Sequence, residues 1–273
     1  MTNASRQPTL FIPHGGGPCF FMEPSPPLPK DLWDGLAAYL RGIDTALGAR
    51  PKAVLVVSGH WEMPQPTVNT AQNHTLLFDY YGFPEHTYRL TYPAHNSPAT
   101  VARIEELLSS AGYRMGEDDK RGLDHGVFVP FKLIYPEADV PLIQLSLLAS
   151  LDAAAHIRLG QALAPLRDEG VLIVGSGMSY HNLRAMYVQR PDIDDAVAQF
   201  DGWLTEAATD ADPERRNAKL VAWENAPAAR FCHPREEHLL PLHVAAGAAG
   251  ADVGRHAFGG TILGKALSGY QFG

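Results

Sequence analysis

Phe11-Ile12-Pro13-His14-Gly15-Gly16-Gly17-Pro18 is an apolar run that breaks directly into a histidine and three glycines. Val56-Val57-Ser58-Gly59-His60-Trp61-Glu62 has the same form, and so does Val174-Gly175-Ser176-Gly177-Met178-Ser179-Tyr180-His181-Asn182. Short, β-branched apolar runs closed by turn signals read as buried strands, here over residues 9–12, 53–57 and 171–174, with a fourth over 141–145. In a mostly parallel sheet the carboxyl ends of the strands line one crevice, where ligands bind. The histidine turns that follow the strands should therefore bring His14 and His60 together there, and glycines beside them let backbone approach a ligand without a Cβ clash.

Helical patterns fill the intervals. Leu32, Leu36, Leu40, Ile43 and Leu47 fall at helical spacing, and residues 101–108 follow Ser97 and Pro98 as cap and first-turn residue. Later helices are expected over 153–167, 193–207, 214–223 and 236–246, and a last strand over 266–272. The alternation predicts an α/β fold: one domain over residues 1–273, with a central, mostly parallel sheet flanked by helices and the site at the carboxyl ends of its strands. Residues 62–97, rich in Pro, His and aromatic side chains and without periodicity, read as a long excursion over the sheet edge, a length that hints at a functional loop.

The bulk numbers narrow the function. A chain of 273 residues with 45% hydrophobic content supplies a sizeable core. The formal net charge of -8 comes without any Lys/Arg-rich run, so nucleic acid and anionic membranes are poor partners and a small molecule is the expected one. Cys19 and Cys232, the only cysteines, are too few for a disulfide framework or a Cys-rich zinc site. The first eight residues lack a signal-peptide pattern, and no stretch approaches the ~20 apolar residues of a membrane span. A cytoplasmic protein is expected, with a homodimer as the commonest oligomeric form.

Any single histidine is more often a hydrogen-bonded packing residue than a ligand. Three at glycine-rich strand ends reverse that weighting, because neutral imidazole is a common ligand of zinc and iron and a catalytic metal takes three protein ligands with a position left open. His233, in Arg230-Phe231-Cys232-His233-Pro234-Arg235-Glu236-Glu237-His238, stands just before an expected helix and is the candidate for the third ligand. His238 and His243 are expected inside that helix, where hydrogen bonding or exposure would explain them, although His238 is near enough to line the same pocket. His125, beside Asp124 and Gly126, could position an acid/base group or a substrate hydrogen bond, or simply stabilise a turn. His156 reads as a surface helix residue, and His74, His86 and His95 as structural or exposed. Glu62 and Asp124 are carboxylates that could orient imidazoles. The His14 turn also fits the oxyanion-hole segment of a serine esterase, but no Gly-x-Ser-x-Gly elbow accompanies it. It lacks the Lys and Ser/Thr of a phosphate loop as well.

Taken together, Pro13-His14-Gly15-Gly16-Gly17-Pro18, Ser58-Gly59-His60-Trp61-Glu62, Leu123-Asp124-His125-Gly126, Ser179-Tyr180-His181-Asn182-Leu183, and His233-Pro234 with Glu237-His238 and Leu240-Pro241-Leu242 resemble the class III extradiol ring-cleaving dioxygenases, in their small single-subunit, DOPA 4,5-dioxygenase-like branch. The resemblance runs over nearly the whole chain. It implies a metal held by His14, His60 and His233, iron(II) for activity with zinc(II) found in isolated members, His181 as the acid/base residue and His125 lining the substrate pocket. The implied reaction opens the ring of a catechol-type diol with dioxygen. Two-subunit members use a glutamate as third ligand, which would point to Glu236 or Glu237, but the His-Pro pattern fits the smaller branch and keeps His233. The alternative of another class is a non-catalytic metal-binding or signalling protein on the same fold; the presence of both His125 and His181 argues against it.

Overall fold

The computed structural model describes residues 5–273; residues 1–4, part of the segment read for targeting signals, lie outside the described residues. Among the described residues, eight strands form one mixed sheet: β1 (Thr9–Pro13), β2 (Ala53–Met63), β3 (Thr67–Asn69), β4 (Gly116–Asp118), β5 (Leu142–Leu148), β6 (Val171–Gly177), β7 (Gly254–Ile262) and β8 (Lys265–Phe272). Their order is β4-β3-β5-β2-β6-β1-β8-β7. The central strands β5, β2, β6 and β1 are parallel, as the apolar runs predict. β8 pairs antiparallel with β1, and β7 with β8, closing one edge with a hairpin whose outer strand was not foreseen.

The helices are α1 (Asp34–Ala46), α2 (Pro98–Ser110), α3 (His125–Ile134), α4 (Ala153–Leu163), α5 (Pro165–Asp168), α6 (Pro191–Ala208), α7 (Pro213–Val221), α8 (Ala229–Cys232) and α9 (Leu240–Ala249). Alternate residues of β2 serve opposite faces of the sheet, as a period of two requires. Val54 and Val56 pack with Leu36, Leu40 and Ile43 of α1 and with Val127, Phe128 and Phe131 of α3. Ala53, Leu55 and Val57 pack on the other face with Ile104 and Leu108 of α2, Leu159 and Leu163 of α4, and Leu240, Val244 and Ala248 of α9. α9 is buried on every side, so it carries no amphipathic stripe. No helix among the described residues is long and apolar enough to cross a membrane.

Two boundaries differ from expectation, and both bear on the site. β2 does not stop at Val57: it continues to Met63, and its register with β5 shifts between Val57 and Glu62, so His60 sits in the irregular part of a strand. The helix expected from residue 236 begins only at Leu240, with Pro241 in its first turn. Residues 236–239 form a turn ahead of it, and His238 belongs to that turn. The excursion over 62–97 contributes β3 and a short 3-10 turn, Glu85–Arg89.

Candidate metal centre

His14 directly follows β1, and its backbone N–H donates to the Gly177 carbonyl at the end of β6 (3.1 Å). Across that strand end, Met178 N–H donates to the His238 carbonyl (2.9 Å). Such close passage of the 237–241 turn over the sheet requires bare backbone. A Cβ at Gly177 would lie 2.1 Å from the His238 carbonyl oxygen, one at Gly175 2.2 Å from that of Pro241, and one at Gly59 3.0 Å from that of Glu237. The strand-end glycines thus admit a neighbouring turn of the same chain. On the other side of His60, a Cβ at Gly126 would lie 2.9 Å from the imidazole ring.

The result is a knot of imidazoles at the carboxyl ends of β1, β2 and β6. The ring of His14 lies 4.9 Å from that of His60 and 5.3 Å from that of His238, centroid to centroid. One ring nitrogen from each of His14, His60 and His238 lies within 4.8 Å of the others. His125 flanks His60 at 4.1 Å, and His181 stacks on His238 at 3.4 Å. His60 and His181 keep 19% of their side-chain surface accessible, which marks the side from which the cluster can be reached.

Hydrogen bonds fix which nitrogens face inward. His14 Nδ1 lies 2.9 Å from the Gly15 carbonyl and must donate, leaving Nε2 with a bare lone pair; that atom is buried and unpartnered. His238 Nδ1 lies 3.0 Å from Glu237 Oε1, and its Nε2 lies 3.2 Å from His60 Nε2. A carboxylate only accepts, so His238 Nδ1 carries the proton and Nε2 is bare. Lone pairs converging in a buried space suit a shared cation, and three imidazoles are a donor set for zinc or iron. Burial and the neighbouring imidazoles hold His14 and His238 well below the usual imidazole range. Burial first, then His125, lower His60 to about 4. The three are therefore neutral at physiological pH, the form that ligates metal.

Two carboxylates brace the cluster. Asp79 Oδ1 accepts from His125 Nδ1 (2.8 Å) and from its backbone N–H (3.0 Å), while Oδ2 lies 3.6 Å from His60 Nδ1. Glu237 Oε1 lies 3.2 Å from His181 Nδ1 as well as facing His238. Burial alone would raise Asp79, but the hydrogen bond and charge of His125 hold it below the ordinary carboxylate range; His181 does the same for Glu237. Asp79 lies in the aperiodic excursion and was not singled out from sequence. Glu62 orients no imidazole directly: it grips Arg235 through both oxygens (2.5 and 2.6 Å), and Arg235 lies 3.6 Å from Glu237 Oε2. Asp124, fully buried, accepts from Ser58 Oγ (2.7 Å) and faces Arg121 (3.3 Å).

His233, expected as the third ligand, does not join His14 and His60. Its Nε2 donates to the Ser179 carbonyl (2.9 Å), and its ring is walled by Phe200 and Trp223. His181 N–H donates to the Cys232 carbonyl (3.0 Å) and Asn182 Nδ2 to the Phe231 carbonyl (2.7 Å), so residues 231–233 lash down the loop that carries His181. His156 is no surface residue either; it lies in the first turn of α4 on the buried side of that helix. The excursion does reach the site: Tyr80 stands edge-on to His125 at 5.9 Å, and Phe78 packs on Phe128 at 5.6 Å.

Residues 8–269 match the family described as the catalytic LigB subunit of aromatic ring-opening dioxygenase. The chain is 42% identical over 245 residues to the 4,5-DOPA dioxygenase extradiol of Beta vulgaris, covering 89% of this chain and 87% of that protein. It is 38% identical to the dioxygenase tasH of Hapsidospora irregularis, covering 91% and 80%. A crystal structure of an uncharacterized Escherichia coli protein superposes with a TM-score of 0.77 at 29% identity, covering 98% of this chain and all of that one. With a sheet whose strand ends gather five imidazoles and a family match over nearly its full length, the chain belongs to the LigB family of aromatic ring-opening dioxygenases and is an extradiol dioxygenase.

Proposed function

We propose that this enzyme opens a catechol-type aromatic diol with dioxygen, cleaving beside rather than between the two hydroxyls, at a metal held by His14, His60 and His238. The observation that carries the ligand set is the bare, buried Nε2 of His14 facing the 3.2 Å contact between His60 Nε2 and His238 Nε2. When bound, iron(II) supplies the Lewis-acid and redox chemistry that lets dioxygen react with an aromatic ring, whereas zinc(II) suits the same imidazoles without a redox step. His181, with Nδ1 held by Glu237, has Nε2 left to take a phenolic proton as the diol binds and to return it as the ring opens. His125, braced by Asp79, presents its Nε2 to the substrate. The names of the relatives favour a DOPA-like diol.

The test is to strip the protein with a chelator, reload it anaerobically with iron(II) or zinc(II), and follow oxygen uptake with a panel of catechols including DOPA. Uptake should require iron, and His181→Ala should lower kcat by about 10²–10⁴. An iron-filled protein that consumes no oxygen with any catechol would sink the reading.

A further inference from the structure

The two bracing carboxylates divide the imidazoles evenly. Asp79 faces His60 and His125; Glu237 faces His238 and His181. Each pair thus contains one ring of the His14, His60, His238 cluster and one ring beside it. We propose that Asp79 and Glu237 are matched positioning residues, each fixing the Nδ1–H tautomer of one metal-directed imidazole and one flanking imidazole, so that all four Nε2 atoms are kept free for metal and substrate. The metal-directed half of this rests on the reading that His14, His60 and His238 hold the ion.

The physical case follows from what the groups can exchange. A neutral imidazole has one N–H and one lone pair, and a carboxylate offers only acceptors, so a hydrogen bond to it puts the proton on Nδ1 of His125, His181 and His238, while for His60 the carboxylate at 3.6 Å favours the same tautomer through its charge alone. Without that constraint His60 and His238, whose Nε2 atoms stand 3.2 Å apart, could place a proton between them and satisfy each other, closing the cluster to a cation. The two braces are built differently. Asp79 engages its two rings with different oxygens, Oδ1 for His125 at 2.8 Å and Oδ2 for His60 at 3.6 Å. Glu237 turns one oxygen, Oε1, toward both of its rings, while Oε2 makes no hydrogen bond and has the Arg235 guanidinium 3.6 Å away. An amide at position 79 must therefore turn its NH2 toward one of the two imidazole N–H groups, which favours the other tautomer of that ring. An amide at 237 can keep its carbonyl toward both rings. The structure thus sets an order of severity, with Asp79→Asn above Glu237→Gln.

The experiment uses the full chain, stripped of metal and titrated with zinc(II) against a chromophoric chelator, with two-bond nitrogen–proton spectra of the histidine rings and steady-state kinetics after iron loading. Asp79→Asn should weaken zinc binding about 100-fold and Glu237→Gln about tenfold, with kcat falling more than KM changes. The spectra of Asp79→Asn should show one ring moved from the Nδ1–H to the Nε2–H form. Parent-like zinc affinity and parent-like ring signals in both variants would overturn the proposal. Should Asp79→Asn fold poorly by circular dichroism, Glu237→Leu, which removes the acceptor from both the His181 and His238 rings, is judged by the same two readouts. His14→Ala serves as the control: if it binds zinc like the parent, the ligand set is wrong, and the ring signals still judge the orientation claim separately.

Discussion

His156 has both ring nitrogens committed: Nδ1 donates to the Asp152 carbonyl (2.7 Å) and Nε2 accepts from the Leu148 backbone N–H (3.1 Å). A proton added at Nε2 would face a donor, and burial, the larger cause, lowers the group to about 4. Its unfolded value is near 6.5, so the unfolded chain takes the proton first. Stability is unaffected above about pH 6.5 and falls as pH drops from there to about 4, by about 1.4 kcal/mol per unit. Denaturant unfolding of metal-free protein at pH 7 and pH 5 should show the parent losing roughly 2 kcal/mol more than His156→Gln; equal losses would refute the assignment. Nothing in the sequence separates this histidine from a surface one, because its partners are backbone atoms of a neighbouring strand end and its own helix start. His238 and His233 pose the reverse case. His238→Ala should abolish stoichiometric zinc, whereas His233→Gln should retain it while loosening the His181 loop. The sequence did carry a signal for this: Pro241 marks a helix start near 240, which leaves His238 in the preceding turn, free to face the sheet.

α4 and α9 cross through two glycines that face each other's backbone. A Cβ at Gly160 would fall 2.1 Å from the Val244 carbonyl oxygen, and one at Gly247 2.1 Å from that of Ile157. Carbonyl oxygens cannot swing aside as a flexible side chain can, so either Gly→Ala change must push the helices apart. Each should cost about 3 kcal/mol, read as a lowered midpoint in thermal or denaturant unfolding, and the pair together should cost less than the sum because they open one interface. Gly177→Ala carries the same conflict into the site, with its Cβ 2.1 Å from the His238 carbonyl; it should weaken zinc binding as well as stability. The parallel strands were legible because apolar, β-branched runs have few other readings. β7 was not, since its residues alternate loosely between buried and exposed at the sheet edge. Asp79 stayed hidden because an aperiodic stretch gives no frame in which to place one carboxylate.

The proposed ligands come from the residue just after β1, from the irregular part of β2 and from the turn before α9, positions separated by 46 and 178 residues along the chain. An unfolded chain cannot hold three such imidazoles together, so a metal that binds them binds the folded form alone. Free zinc at 1,000 times its dissociation constant should then add about 4 kcal/mol of stability, seen as a midpoint that climbs with zinc concentration. A midpoint indifferent to zinc would contradict the site. The central sheet and the two early histidines could be read from local pattern, whereas the third ring depends on a turn whose placement is set only by the completed sheet beneath it.

That long separation also orders events in time. Translation delivers His14 and His60 early, and for most of synthesis they have no third partner to chelate with. The parallel strands β1, β2, β5 and β6 all precede the 236–239 turn in the chain, and that turn lies across the bare backbone at the end of β6. Metal capture should therefore come late in synthesis: a nascent chain arrested before residue 238 should leave zinc in solution, and one carrying all 273 residues on a linker long enough to clear the ribosome should take it up.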